Sequence, residues 1–167
     1  LLDKALAATE RVQIEPHLLA KALLARVRAS LALGGTRDDE RLIEAAAALA
    51  DAVNDDRLLG EVETARGKLQ LRRGKLHHAR THFRLAVRIL DNTNSPLQLG
   101  IAYMPLGETN QKHARLETAE SCLIAARTLF RDSGYQHAEA VATAALGRVW
   151  LVLDYPIKAG DDLRWAQ

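Results

Sequence analysis

Cysteine is almost missing: Cys122 stands alone in 167 residues. No internal disulfide can form, and the expectation is a reducing, cytoplasmic setting. Proline occurs four times, phenylalanine and tryptophan twice each. No stretch alternates β-branched and polar residues as strands do. No apolar run approaches the length of a membrane span, and no signal peptide is visible at the start. Neither sign of charge dominates, with 23 basic and 21 acidic residues and a net charge of +2. Nothing therefore demands nucleic acid or an anionic membrane as partner. A phosphate-cradling loop is missing too, because Gly34-Gly35 lacks the Lys-Ser/Thr that would follow it.

What remains is largely alanine and leucine. Hydrophobic residues make up 48% of the chain and aromatics only 4%, so the apolar content comes from strong helix formers and the fold class is all-α. Against that background the glycines stand out, since each costs a helix interior about 1 kcal/mol relative to alanine. Gly67, Gly107 and Gly147 lie 40 residues apart. Each is followed at offsets of 12, 16 and 19 by apolar markers: Ala79, Phe83 and Ala86; Ala119, Leu123 and Ala126; Ala159, Leu163 and Ala166. Val27 stands in place of glycine in an earlier unit, where Ile43 and Ala46 keep the register. A fixed interval of this kind is the signature of a repeat architecture.

The physics suggests two helices per unit, A then B. The glycine would sit where a second helix crosses closely, the bulky residue would fill the space between helices, and the last alanine would face helix A of the next unit. Punctuation supports this: Gly74 suits a left-handed helix cap, and Ser95-Pro96 suits a helix start. The expected helices are 1–13, 16–33, 38–54, 56–73, 75–91, 96–113, 115–133, 135–153 and 156–167. They form one array over 1–167: a partial helix at 1–13, then units at 16–54, 56–91, 96–133 and 135–167. Because the chain begins at Leu1 and its one methionine is Met104, we expect a piece of a longer protein. Leu163, Trp165 and Ala166 would lack a polar capping helix, so further repeats or self-association through the ends are expected.

Gly, Ala, a bulky apolar residue and Ala at this spacing resemble the tetratricopeptide repeat. That resemblance covers essentially the whole chain and implies a right-handed α-solenoid of antiparallel helix pairs. The period exceeds the family's usual one, and stretches such as ARTLFRDSGYQHAEAVATAALG resemble the long-period arrays of bacterial ATP-binding transcriptional regulators and related signalling ATPases. The implied role is a non-catalytic sensor or interaction arm. The alternative is a free-standing adaptor that takes an acidic or carboxylate-bearing peptide in its groove. The usual aromatic places of helix A depart from the family pattern: the first holds Leu23, Glu63, Tyr103 and Thr143, the second Ser30, Gln70, Asn110 and Trp150. Pro105 falls inside a helix A, where it should kink or split the helix at a cost of about 3 kcal/mol.

In such arrays helix A lines the concave face. The groove-facing positions include Lys21, Leu24, Arg28 and Leu31; Glu61, Thr64, Lys68 and Arg72; Ile101, Met104, Glu108, Gln111 and Lys112; Val141, Ala144, Arg148 and Leu151. One column reads Arg28, Lys68, Glu108, Arg148, which suggests a mildly basic groove for a protein or peptide segment. Glu61 and Glu108 in that groove, with the low net charge, weigh against nucleic acid.

Candidate chemistry is sparse. His77, His78 and His82 cluster on helix B, and His78 and His82 share a face. A zinc site needs three or four ligands, and the spacing supplies no further one, so no metal is expected and the histidines read as solvated surface. Cys122 beside Leu123 reads as a core filler. Asp38-Asp39-Glu40 and Asp161-Asp162 fall near helix starts, where they meet the helix dipole. No cofactor and no enzymatic activity are expected.

Overall fold

The computed structural model describes residues 15–153. These form seven α-helices and no strand: α1 Pro16–Ala32, α2 Asp39–Ala52, α3 Asp56–Arg72, α4 Leu76–Asp91, α5 Pro96–Lys112, α6 Leu116–Asp132 and α7 Gln136–Val152. Their ends agree with the expected ones to within two residues. The partial helix 1–13 and the last helix 156–167, with Ala159, Leu163 and Ala166, lie outside the described residues. Among those described, no helix is long and apolar enough to cross a membrane.

One turn recurs between the helices. A residue of positive φ follows the helix at Gly34, Asn54, Gly74, Ala114 and Gly134. The next amide then reaches back five residues: Gly35 to Ser30 (2.7 Å), Asp55 to Ala50 (3.1 Å), Lys75 to Gln70 (2.9 Å), Arg115 to Asn110 (3.0 Å) and Tyr135 to Phe130 (2.9 Å). This is the Schellman closure, which satisfies carbonyls a helix end would otherwise orphan. The turn after α4 is built differently, with the Thr93 amide and hydroxyl both donating to the Leu90 carbonyl. Helix starts rest partly on Pro16 and Pro96 at the first helical positions and on Asp55, whose carboxylate accepts the Leu58 amide at 3.0 Å. Ser95 holds the cap position expected of it, but its side chain makes no capping bond.

The chain divides into two compact units, 1–93 and 94–167, at the junction expected between the second and third helix pairs. In the first, α1 and α2 pack as one pair and α3 and α4 as another, with α3 also against α1 and α2. A core runs from Ala20, Leu24 and Val27 through Ile43, Ala46 and Leu49 to Leu58, Val62 and Leu69. The α3–α4 contact is set by two glycines. A Cβ at Gly67 would lie 2.6 Å from Phe83 Cδ1, and one at Gly60 would lie 2.6 Å from Leu90 Cδ2. Going forward along α3 from Gly60 to Gly67 means going back along α4 from Leu90 to Phe83, so the pair is antiparallel. Ala79, Phe83, Ala86 and Leu90 are fully buried.

The second unit repeats the device one period on. A Cβ at Gly107 would lie 2.7 Å from Leu123 Cγ, and one at Gly100 would lie 2.8 Å from Phe130 Cε1. Ala126 and Phe130 cluster with Ala142 of α7, so the last alanine of this pair does face helix A of the next. Gly147 is buried, as expected. Pro105 corrects an expectation: α5 runs unbroken through it. The ring is buried, and its carbonyl accepts the Thr109 hydroxyl at 2.6 Å. Packing on α6 and α7 supports the helix where the proline ring removes one of its hydrogen bonds.

Candidate functional site

The helix A faces carry the residues expected to bind. In the first unit most of their charge is already used. Arg28 Nη1 lies 3.4 Å from Glu61 Oε2, and Arg57 Nε lies 3.6 Å from Glu61 Oε1. Arg72 points back at the α1–α2 turn, donating from Nη1 to the Leu31 carbonyl at 2.8 Å and from Nη2 to the Gly34 carbonyl at 2.6 Å. Thr64 is buried, and its hydroxyl donates to the Gly60 carbonyl at 2.9 Å. Leu24 and Leu31 belong to the core. Lys21 and Lys68 are half-buried. Arg72 and Thr64 therefore serve the fold, and Arg28 and Glu61 neutralise each other.

In the second unit the corresponding faces are more apolar. Glu108 Oε1 and Arg148 Nη2 approach to 3.9 Å, joining equivalent positions of α5 and α7. Two turns earlier on the same helices are Ile101 and Val141, 37% and 44% exposed, and Leu151 is 58% exposed. Large apolar side chains at water are ordinary one by one; recurring at one repeat position, they form a strip. Met104 is half-buried and packs on the α6–α7 core, while Gln111 is half-buried and Lys112 exposed near the end of α5.

The structure also assembles a buried charge cluster. Glu63 of α3 is 6% exposed. It accepts from Arg66 Nη1, and its Oε2 lies 2.8 Å from His82 Nδ1 on α4. Arg66 then forks onto Glu44 of α2, Nε to Oε1 at 3.1 Å and Nη2 to Oε2 at 2.7 Å. Burial works against the Arg66 charge, but the Glu44 and Glu63 carboxylates outweigh it and raise its pKa. His82 thus departs from the solvated-surface expectation, whereas His77 and His78 are exposed and meet edge to face at 6.1 Å. A signal existed in the sequence: Glu63 occupies a place where the repeat family packs an aromatic ring. A carboxylate there needs a cationic partner in the interior.

Beside this cluster is a small cleft of about 150 Å³ lined by Glu40, Ile43, Glu44, Arg66, Leu69, Gln70 and His82. No set of three metal-ligating side chains occurs among the described residues. Asp39 is fully buried; burial pushes its pKa up, but the Thr36 amide at 2.7 Å and hydroxyl at 3.0 Å help to bring it below the usual value. Glu40 is bound by Arg73 at 2.8 Å, and that hydrogen bond holds its pKa down. Asp38 lies 3.9 Å from Arg41. Cys122 is buried, and burial pushes its thiol up, away from the reactive thiolate. In the second unit Trp150 donates from Nε1 to Glu120 at 2.7 Å under the Arg127 guanidinium, and buried Glu139 accepts from Arg131 at 2.6 Å.

The arrangement is that of an all-α, solenoid-like protein in which the buried carboxylates Asp39, Glu63 and Glu139 are internally satisfied and the exposed helix faces are the available surfaces. Among solved structures, BtubC (BKLC) from P. vanneervenii matches with a TM-score of 0.83 at 18% identity, over 99% of this chain and 67% of that one. At that identity the likeness is one of fold. No protein-family model matches the sequence, and no curated protein matches it.

Proposed function

We propose that this chain is a non-catalytic interaction module of the tetratricopeptide type, and that a protein segment docks along the helix A faces. The observation that carries the reading is the pairing of Ile101 with Val141 at one repeat position, two turns from the Glu108–Arg148 pair. An apolar strip beside an ion pair suits an extended or helical segment with alternating apolar and charged side chains. This shifts the emphasis from a basic groove for an acidic peptide, since Arg28, Arg72 and Arg148 all have partners within the fold. The role as arm of a bacterial regulatory protein rests on the long-period resemblance.

A photo-crosslinking side chain at position 101 or 148, expressed in the host cell, tests the reading. Crosslinks to a protein should form at both positions and fall on Val141→Ser. A control at exposed Thr118 on α6 should give few. Equal labelling from all three positions would defeat the proposal.

A further inference from the structure

Several of the described cations are matched by a carboxylate: Arg28 and Arg57 by Glu61, Arg66 by Glu44 and Glu63, Arg73 by Glu40, Arg131 by Glu139, and Arg148 by Glu108. The outer face of α4 departs from this. Its sequence, LHHARTHFRLAVRILD, places arginines at 80, 84 and 88 and has one acidic residue, Asp91, at its end. Arg80 is already engaged within the protein. Among the described residues, neither Arg84 nor Arg88 has an ion-pair partner, and both side chains are exposed. Like charges four apart on a helix repel. Arg88, in the last turn, meets the negative end of the helix dipole, but Arg84 lies mid-helix without that compensation. Between them is Leu85, half-buried, and Thr81, Arg84, Leu85 and Arg88 line a surface concavity of about 340 Å³.

We propose that this α4 face docks an acidic, helix-forming protein segment that sets a leucine-sized side chain on Leu85 between two carboxylates held by Arg84 and Arg88. Four residues of helix separate the two guanidinium-bearing positions by about 6 Å along the axis, the same rise that separates acidic residues four apart on a partner helix. Arginine forks are suited to carboxylates two oxygens at a time. The apolar floor favours such a segment over a nucleic acid backbone, which offers charge without an apolar group to cover Leu85 and draws on a broader basic surface than a chain of net charge +2 presents. This face uses none of the residues of the helix A strip, so each proposal can fail alone.

The test uses a labelled, helix-forming synthetic peptide with glutamates four apart flanking a leucine, and a scrambled peptide of equal composition. Fluorescence polarisation at low salt should register the ordered peptide, with affinity falling as salt rises. The double variant R84E/R88E should weaken it about tenfold or more, with circular-dichroism melting showing that the variant folds. If the variant does not fold, the two peptides compared on the unaltered chain still decide. Equal binding of the scrambled peptide, tighter binding of a single-stranded RNA of matched charge, no binding of the ordered peptide, or binding indifferent to R84E/R88E would each overturn the proposal.

Discussion

His82 Nδ1 lies 2.8 Å from Glu63 Oε2, joining α4 to α3 through a carboxylate that is almost wholly buried. Because Glu63 also accepts from Arg66, the two partners have unequal consequences when removed. Glu63→Ala removes the acceptor that Arg66 and His82 share, although Arg66 keeps Glu44 and both side chains are partly exposed, and should cost about 2–3 kcal/mol. His82→Ala leaves Glu63 with Arg66 and should cost about 1–2 kcal/mol. Urea unfolding of the two single variants and the double variant measures both; additive losses would show that the contact carries no coupling.

Gly67 should resist replacement even by the best helix former. Propensity alone favours Gly67→Ala by about 1 kcal/mol. The added methyl would meet the Phe83 ring at 2.6 Å, and overpacking of this kind costs about 1–3 kcal/mol. The net change should be destabilising. Adding Phe83→Ala removes the clash, so the double variant should lose less than the two single losses combined. A rise in thermal midpoint for Gly67→Ala would contradict the packing.

Ala114 has φ +56 in the turn after α5. A side chain in that region costs roughly 1–2 kcal/mol, and glycine occupies the equivalent positions 74 and 134. Ala114→Gly should therefore raise the stability by about 1 kcal/mol, seen as a higher urea midpoint with an unchanged slope.

Asp39 makes the fold acid-sensitive at one point. Its pKa in the folded chain is below the model-peptide value of 3.8. The stabilisation from its ionised form is thus complete above that value and is lost as pH falls through the lower, folded one. Asp39→Asn should be less stable than the parent at pH 7, by about 1–3 kcal/mol for the lost charge-assisted bonds from Thr36. The gap should narrow below pH ~4. A gap that stays constant from pH 7 to pH 2 would exclude this account.

The packing logic was legible in the residues because helix-interior glycine is costly, and a cost repeated at one interval needs a common cause. Gly60 and Gly100 carry the same information against Leu90 and Phe130, yet without the facing residues they read as stray glycines. The binding face was less legible. Whether Arg28 meets a ligand or Glu61, and whether Arg72 meets a ligand or the Leu31 carbonyl, depends on how one helix pair registers on the next. That register is set by side-chain interlocking and is not written in the spacing along one helix. The expected split at Pro105 is absent for a related reason: local preference was outweighed by burial of the proline and its neighbours in the α5–α7 core.

The Schellman closures have a consequence for how such a chain can lengthen. Their donors fall at 35, 55, 75, 115 and 135, so the closures at 35, 75 and 115 recur in the same geometric phase, one 40-residue period apart. Duplicating one 40-residue stretch between like closures, from 35 to 75 or from 75 to 115, presents matching ends at both seams and inserts two complete helices without a new linker. Modules excised or added in multiples of that length should be tolerated, whereas a cut one residue off would turn every following apolar stripe by about 100° about its helix axis.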